Sequence, residues 1–323
     1  MRIVVTGGAG FIGRAVVERL ANRDDQVVAL VRDPARAAHL ERPTVEVVAS
    51  NLDEPALLRA VMTGADVVIH GAGMYRIGIP LSERPAMWDA NVGATERVLD
   101  AAIAAGVPRI VYVSTNNVVG NTHGKVVDET FRRDLREGFA SWYDETKYRA
   151  HEEAEKGIAS GAPIVIVQPG QTFGPHDHSL ASGQLQLAHD GRLRYLAFTD
   201  AGVAWVHVND LADGIVAAVD RGRVGESYAL GGELLRLADA IAIAARVGGR
   251  RPPRLRVPLA LLRLLAPLND RAGGLPGFPP NLRETITAGA GATYWVSHDK
   301  ATRELGFNPR SLEQGVADTW GRA

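Results

Sequence analysis

Short apolar runs alternate with longer amphipathic stretches along the first half of the chain. The runs are rich in Val and Ile and show no regular alternation with polar residues, which is typical of strands buried on both faces of a parallel sheet. Six runs predict such strands: Ile3–Val5, Val27–Val31, Val45–Val48, Val67–Ile69, Ile110–Val113 and Ile164–Val167.

The stretches between these runs have a helical pattern, as in Arg14–Ala21, Glu54–Met62 and Asn91–Ala105. Repeated strand–helix units with right-handed crossovers build a doubly wound parallel sheet with helices on both faces. We therefore predict an α/β fold for this half of the chain.

The pattern changes after Pro169, where Gly, His and polar residues become frequent. One more strand, Ala204–Val208, and its helix, Asn209–Val219, follow, and Pro and Gly cluster again between positions 250 and 280. We expect the irregular parts to form a smaller, discontinuous C-terminal substrate lobe above the carboxyl ends of the strands, where ligands bind in such sheets.

This pattern predicts a division of the chain into two discontinuous units. Residues 1–169 and 203–224 would form the dinucleotide-binding domain, and residues 170–202 and 225–323 the substrate lobe.

A glycine turn follows the first strand directly. Gly7 permits the tight turn, Gly10 removes a side chain where a phosphate approaches, and Gly13 lets the helix pack against the strand. The helix start, with Phe11 and Ile12, offers unpaired N–H groups to an anion. We predict a Rossmann-type dinucleotide site here, although any α/β protein can contain an ordinary glycine turn.

Composition excludes several classes of function. The 36 Lys and Arg residues nearly balance the 37 Asp and Glu residues, and no long basic run occurs, so we expect no nucleic-acid partner. The chain has no cysteine, which excludes disulfides, thiolate catalysis and Cys–zinc sites. We expect no metal site.

The most apolar late segment is Pro258–Pro267, which Arg263 interrupts and which is too short to span a bilayer. We interpret it as a buried helix or as part of a substrate lid, and expect no membrane partner. The first strand begins at Met1 and leaves no room for a signal peptide, so we expect a cytoplasmic protein.

Two polar clusters stand where a nicotinamide enzyme needs them. Ser114 and Thr115 follow the Ile110–Val113 strand, although such hydroxyls often only cap a turn. Tyr143 and Lys147 share one helix face, and a nearby ammonium would lower the pKa of the phenol and make it a general acid–base. The alternative is that the charged stretch after Tyr143 is a solvated face.

Arg32 stands just after the second strand, where an NAD-preferring fold usually ends in an acid. A guanidinium matches the geometry of a 2′-phosphate. We therefore favour NADP(H) over NAD(H), the alternative being an ordinary exposed arginine.

In combination these elements resemble the extended short-chain dehydrogenase/reductase superfamily, which includes the NAD-dependent epimerase/dehydratase family. The resemblance covers nearly the whole chain. Its motifs are Thr6–Gly13, Asn51–Asp53, His70–Gly73, Asn91–Thr95, Val113–Gly120, Tyr143 with Lys147, Pro169–Gly170 with Gly174–Pro175, Trp205–Ala212 and Lys300–Phe307.

The resemblance implies catalytic roles for three residues. Tyr143 would be the proton donor, Lys147 would hold the nicotinamide ribose, and Thr115 would hold the substrate oxygen, with Ser114 as its less favoured stand-in.

The resemblance also implies further cofactor contacts. Asn51 and Leu52 would flank the adenine, although the family usually has Asp at the first of these positions. Ala72 would let the cofactor approach the strand end, and Pro169 and Gly170 would lie by the nicotinamide.

Within the superfamily, residues 29–32 and 225–232 are most similar to dihydroflavonol-reductase-like and 3β-hydroxysteroid-dehydrogenase-like proteins. Nucleotide-sugar epimerases and dehydratases typically carry Arg before the proline and an aromatic–Asn pair after it. Here Gln168 precedes Pro169, and the asparagine is missing from Gly170–Pro175. This departure disfavours the sugar-nucleotide alternative and leaves it open.

We therefore predict an NADP(H)-dependent oxidoreductase that interconverts a ketone or aldehyde and an alcohol on a largely apolar small molecule. The apolar stretch Met74–Leu81 favours such a substrate, although it is equally compatible with core packing. The alternatives are a nucleotide-sugar epimerase or dehydratase and a non-catalytic NAD(P)-binding protein. The second is disfavoured because a sensor needs no acid–base residue.

A small apolar stripe predicts a homodimer. Ala94, Val98, Ala101, Ala102 and Ala105 lie on one face of the predicted 91–105 helix, which could form a four-helix seam with the 141–160 helix and a second copy. The alternative is that this stripe covers the sheet of its own chain.

Overall fold

The computed structural model describes residues 1–274 and 278–322. Residues 275–277 and 323 belong to the predicted substrate lobe, and that part of the prediction lies outside the described residues. The strands are β1 (Arg2–Thr6), β2 (Gln26–Val31), β3 (Val45–Ala49), β4 (Val67–His70), β5 (Ile110–Val113), β6 (Ile164–Pro169), β7 (Gln171–Phe173), β8 (Tyr195–Leu196), β9 (Gly202–His207), β10 (Ser227–Leu230), β11 (Glu233–Arg236), β12 (Leu255–Arg256) and β13 (Thr293–Tyr294).

The helices alternate with the strands in the first half and dominate the second. They are α1 (Phe11–Ala21), α2 (Pro55–Met62), α3 (Arg84–Trp88), α4 (Ala94–Ala104), α5 (Trp142–Ala159), α6 (Leu180–His189), α7 (Val208–Arg221), α8 (Leu237–Val247), α9 (Leu259–Arg271), α10 (Leu282–Gly289), α11 (Asp299–Leu305) and α12 (Leu312–Trp320). A π-helical turn, Asp89–Gly93, joins α3 to α4.

A seven-stranded parallel sheet forms the centre, in the order β10-β6-β5-β4-β1-β2-β3. Alternate residues of each strand face opposite layers: Ile3 and Val5 pack with α1 and α7, whereas Val4 packs with α2, α4 and α5. Because both faces are covered, the strands have no polar side, as the sequence pattern indicated. The predicted doubly wound α/β fold is confirmed.

Two strands differ from the sequence prediction. The strand predicted at Ala204–Val208 exists as β9, but it pairs with β7, β11 and β13 in a smaller sheet. The seventh strand of the central sheet is instead β10, which pairs with β6. Both strands are buried and apolar, so composition alone does not show which sheet each one joins. The division into two units stays a proposal, with β10 in the dinucleotide-binding unit.

The α4 stripe behind the homodimer prediction packs inside its own chain. Ala94, Val98, Ala101 and Ala102 are buried in the same apolar cluster as Tyr112 of β5 and Ala150 of α5. The homodimer stays a prediction without support from this stripe.

The late apolar segment becomes α9, which packs against α10 through Leu262 and Ala266. It is not a buried helix, since Leu261, Leu264 and Leu268 are exposed on its other side. Over residues 1–274 and 278–322, no helix combines the length and apolarity required to cross a bilayer.

Candidate active site

The turn between β1 and α1 is built around close backbone contacts. Gly7 has a φ of +72°, and a Cβ added there would lie 2.9 Å from the Cα atom of Ala72. A Cβ on Gly13 would lie 2.1 Å from the carbonyl oxygen of Gly7. The turn therefore requires glycine at both positions, as the sequence predicted.

Helix α1 begins at this turn without a side-chain cap. Its first backbone bond runs from the Arg14 N–H to the Gly10 oxygen, at 2.8 Å, so the N–H groups of Phe11, Ile12 and Gly13 precede that bond. Such a helix start attracts anionic groups through its N–H donors and its dipole. The turn fits the pyrophosphate of a dinucleotide because no side chain fills this cradle.

A cleft of about 630 Å³ lies at the carboxyl edge of the central sheet. It brings together all the predicted site residues except Arg32, Asn51 and Leu52. The predicted residues that line it are Gly7, Gly10, Phe11, Ile12, Gly13, Ala72, Thr115, Tyr143, Lys147, Pro169 and Gly170.

An ion pair fixes the first turn of α5, which carries Tyr143. The Arg133 guanidinium donates to both carboxylate oxygens of Asp144, at 2.8 and 3.1 Å, and the two side chains are 6% and 1% exposed. Ser141 caps the helix by accepting from the Asp144 N–H at 3.0 Å. The charged stretch after Tyr143 is therefore not simply a solvated face, since its first carboxylate is buried.

Asn91 connects this helix to the loop after β4. Its side-chain oxygen accepts from the Met74 N–H at 2.6 Å, and its amide nitrogen donates to the Met74 oxygen and to the Thr146 hydroxyl, at 3.1 and 2.9 Å. Asn91 lies in the π-helical turn, a type of distortion frequent at functional sites. The sequence motif around Asn91 was recognised, but nothing in it showed this bridging contact.

Tyr143 is nearly buried beneath Tyr75. Their ring centroids are 4.8 Å apart with planes at 84°, an edge-to-face contact. Burial raises the pKa of Tyr143 well above its usual value, the neighbouring Tyr75 adds to this, and a hydrogen bond with Thr115 opposes it. The expectation of a lowered pKa for Tyr143 is wrong, because desolvation of the phenolate dominates.

Lys147 reaches the end of β5, beside the Tyr112 ring. Its ammonium donates to the Val113 oxygen at 3.1 Å and to the Tyr112 hydroxyl at 3.5 Å. Burial lowers the pKa of Lys147 to about 8. Lys147 follows Tyr143 by four positions, about one turn of α5. Because of its lowered pKa, the ammonium loses its charge at about pH 8.

The two hydroxyls after β5 have different surroundings. The Thr115 hydroxyl caps the following 3₁₀ turn by accepting from the Asn117 N–H at 3.2 Å, and it also reaches Tyr143. The Ser114 hydroxyl pairs instead with the imidazole of His151 at 2.8 Å. This arrangement favours Thr115 over Ser114 as the group beside the phenol.

Asn116 is a site residue that the sequence reasoning missed. It lines the cleft, its side chain is buried, and neither its amide nitrogen nor its amide oxygen has a hydrogen-bond partner among the described residues. A buried amide without partners is costly, so a bound ligand that satisfies it gains affinity. In the sequence, the position of Asn116 beside Thr115 was the only sign that it belongs to the site.

The three predicted residues outside the cleft lie near the ends of β2 and β3. Arg32 and Asn51 are exposed, and Arg32 has no ion pair or hydrogen bond among residues 1–274 and 278–322. The Leu52 side chain is buried in the cluster that contains Leu30 and Leu58. Contacts of these residues with a cofactor stay predictions.

A family model and two relatives show what this chain is similar to. The model of the NAD dependent epimerase/dehydratase family matches residues 3–231. A putative dihydroflavonol 4-reductase from Synechocystis sp. is 30% identical over 320 residues, which cover 97% of this chain and 92% of that protein. A 4-hydroxy-2-methyl-3-oxo-4-farnesyl-3,4-dihydroquinoline-1-oxide ketoreductase from Stigmatella aurantiaca is 29% identical, covering 100% of this chain and 96% of its own length.

A solved structure shows the same architecture with a cofactor. DesIV, a dTDP-glucose 4,6-dehydratase from Streptomyces venezuelae with NAD bound, has a TM-score of 0.78 and 26% sequence identity, over 99% of this chain and 95% of that chain.

Replacing Gly13 with alanine tests the turn. Because the new Cβ would collide with the Gly7 carbonyl, we expect the free energy of unfolding to fall by roughly 1–3 kcal/mol and dinucleotide binding to be lost. Denaturant unfolding and calorimetry measure both. Gly183→Ala in α6 is the control, since its Cβ meets no atom within 4 Å, and it should stabilise the helix by about 0.5–1 kcal/mol. Similar effects for the two variants would contradict this account.

Replacing Asp144 with alanine tests the α5 anchor. It leaves the Arg133 guanidinium buried without its carboxylate, and we expect the free energy of unfolding to fall by about 3–5 kcal/mol. The neighbouring Glu145→Ala serves as the control because Glu145 is only half-buried and has no ion pair with another described residue. Thermal denaturation compares them, and equal stability of the two variants would argue against a buried anchor.

The pKa of Lys147 predicts a pH dependence. The side chain carries a charge below about pH 8 and is neutral above it. We expect kcat/KM for carbonyl reduction to fall as the pH rises through about 8, because a neutral amine no longer stabilises the phenolate that forms. In Lys147→Arg the remaining activity should lose this descending limb, since guanidinium stays charged to about pH 12. A flat wild-type profile across this range would contradict the assignment.

Proposed function

The chain belongs to the NAD dependent epimerase/dehydratase family, and we propose that it is an NADP(H)-dependent oxidoreductase that interconverts a ketone or aldehyde and an alcohol on a largely apolar molecule. Enzymes of this extended type are NAD(P)-dependent reductases, dehydratases and epimerases. One observation carries the finer proposal: a single cleft holds the glycine turn, Thr115, Tyr143 and Lys147 beside an apolar cluster.

The glycine turn would hold the pyrophosphate, and Lys147 would hold the nicotinamide ribose. When bound, the cofactor supplies a hydride to the carbonyl carbon or accepts one from the alcohol. The chain supplies the proton, because Tyr143 stays a neutral phenol in its buried setting and can donate to the developing alkoxide. Thr115 orients the same oxygen through its hydroxyl.

Charge stabilisation comes from Lys147. As the phenol gives up its proton, a phenolate forms on a largely buried side chain. An ammonium one helical turn away stabilises that anion far more strongly than it would in water. The same burial that raises the pKa of Tyr143 in the resting protein therefore strengthens the interaction on which turnover depends.

Near the phenol, the cleft has an apolar lining of Met74, Tyr75, Val203 and Ala204. Met74 also packs against the buried cluster of Ile79, Met87 and Tyr143. The amide of Asn116 offers one further polar contact to the substrate. The similarity to the Stigmatella aurantiaca ketoreductase, whose name contains both a 3-oxo group and a farnesyl group, supports a substrate with a carbonyl and a large apolar part.

A nucleotide-sugar epimerase or dehydratase is the second candidate, and the likeness to DesIV favours it. Such an enzyme must neutralise a diphosphate on its substrate. Among the described residues that line the cleft, Arg14 is the one arginine, and it lies beside the glycine turn; on the substrate side Asp177 lies between His176 and His178. A carboxylate there disfavours a substrate diphosphate. Arg192 and Arg194 do not line the cleft, so they give no support to this candidate.

A non-catalytic NAD(P)-binding protein is the third candidate. It would need the glycine turn and no acid–base residue. The placement of Thr115, Tyr143 and Lys147 in one buried group supports catalysis over sensing.

The NADP(H) preference is supported by the charges after β2. The Asp33 carboxylate caps the following turn by accepting from the Ala35 N–H at 3.1 Å, and it pairs with Arg36 at 3.4 Å. It is therefore engaged within the protein, while Arg32 is exposed and available for a 2′-phosphate. His39 lines the cleft and adds a second candidate contact to that phosphate.

Tyr143→Phe tests the proposed function. We expect carbonyl reduction across a panel of ketones and aldehydes to fall by about 10²–10⁴-fold, because a general acid is lost, while dinucleotide binding persists. Tyr148→Phe, five positions along the same helix, is the control and should keep activity. Near-normal turnover of Tyr143→Phe would refute the assignment. Tight uridine diphosphate binding by the parent protein, with no reduction of any panel compound, would favour the nucleotide-sugar candidate.

Arg32→Ala tests the choice of cofactor. We expect NADPH to bind roughly 10–100-fold more weakly while NADH binding changes little, since a charge-assisted contact with the 2′-phosphate is lost. Arg59→Ala is the control, because Arg59 is exposed in α2 and does not line the cleft, and it should leave both dissociation constants unchanged. Equal dissociation constants of the parent protein for NADPH and NADH would refute the preference.

A further inference from the structure

The outward side of α9 is apolar and unusually exposed. Leu262, Ala266 and Asn269 are buried and define its inward side. At 100° per residue, Leu264 lies opposite them, with Leu261 and Leu268 next to it. Leu264 is 76% exposed, Leu268 61% and Leu261 46%. Three adjacent exposed leucines on one helix side form an apolar stripe facing solvent, which marks an interaction surface.

Arginines flank this stripe. Arg263 and Arg271 are exposed on the outer half of α9, and Arg254 and Arg256 are exposed just before it, on either side of the exposed Leu255. Residues 250–269 contain five arginines and no acidic residue. In the part of the chain that the structure describes, the guanidinium groups of Arg254, Arg256, Arg263 and Arg271 have no carboxylate or hydrogen-bond partner. We call Leu261, Leu264, Leu268 and these four arginines the α9 face.

We propose that the α9 face docks on an anionic membrane surface, contrary to the expectation from the sequence that the protein has no membrane partner. Leucines on one helix side with arginines around them are the composition of helices that lie in the lipid headgroup region. Anionic headgroups supply the charges that the four arginines lack, and the acyl boundary accepts the leucines. A second copy of the same face fits less well, because pairing it with itself would bring arginines together without acidic partners.

Helix α10 connects α9 to the catalytic helix α5. Helix α9 packs on α10, whose Glu284 accepts from the N–H of Trp142 at 2.8 Å, next to Tyr143. At the start of α10, the Asn281 N–H donates to the Gly78 oxygen at 3.0 Å, within the loop that carries the apolar cluster. Docking would therefore place the apolar side of the cleft near the bilayer, where an apolar substrate concentrates. The docking itself does not depend on which substrate is used.

Vesicle co-sedimentation of the full chain tests the proposal. We expect binding to vesicles of phosphatidylcholine with about one third phosphatidylglycerol, and far weaker binding to pure phosphatidylcholine. Raising the ionic strength from about 0.05 to about 0.5 M should weaken the binding, because it screens the arginines. Leu264→Glu should weaken it by at least about tenfold, since an exposed leucine no longer inserts.

Val224→Glu is the matched control. Val224 is 51% exposed and precedes β10, at the amino edge of the parallel sheet, opposite the cleft. The Val224→Glu variant should bind vesicles as the parent protein does. Val224→Glu and Leu264→Glu should both keep the unfolding temperature and the carbonyl reduction of the parent protein. No binding to anionic vesicles at low salt would overturn the proposal, as would equal effects of the two substitutions. Two other results would also overturn it: a dimer that Leu264→Glu dissociates without any vesicle binding, or binding to duplex DNA that Leu264→Glu leaves intact.

Turnover measured in parallel separates this proposal from the proposed function. Normal carbonyl reduction without vesicle binding refutes docking alone. Vesicle binding without reduction of any carbonyl compound refutes the proposed function alone.

Discussion

The buried ion pair between Arg133 and Asp144 is the constraint on which the site depends most. Tyr143 lies in the first turn of α5, and the first turn of a helix frays when its N–H groups lack partners. The Ser141 cap and the Arg133–Asp144 pair hold this turn in place, while Asn91 ties the next turn to the loop after β4. The phenol is therefore held where the carboxyl ends of β4 and β5 meet.

The parallel sheet explains why the remaining parts converge on that point. Every strand of the central sheet ends at the same edge, so the glycine turn after β1, Ala72 after β4 and Thr115 after β5 reach one cleft. The smaller sheet contributes the opposite wall through Val203 and Ala204. Burial then sets the chemistry: it keeps Tyr143 protonated and lowers the pKa of Lys147 to about 8.

Sequence reasoning found the elements that local pattern determines. Valine-rich runs gave the six strands, and glycine spacing gave the turn, because both depend on residues that are neighbours in the chain. It assigned the β9 run to the dinucleotide-binding domain and predicted no strand at β10, because only long-range packing decides which sheet each run joins. It likewise missed the contacts of Asn91 with Thr146 and of Arg133 with Asp144, whose members lie 55 and 11 positions apart. The four-residue spacing of Tyr143 and Lys147 predicted a lowered pKa for the phenol, whereas burial raises it. The spacing along a helix does not show how deeply a side chain is buried.

In the proposed reaction, a hydride passes from the nicotinamide to a carbonyl carbon with net turnover, and Tyr143 gives the proton. NADPH that carries deuterium at the transferable position of the nicotinamide, with an apolar ketone as substrate, tests this directly. We expect one deuterium on the carbinol carbon of the released alcohol, with one oxidised cofactor released per turnover. An unlabelled product, or an epimerised sugar nucleotide formed while the cofactor stays bound and unconsumed, would contradict it.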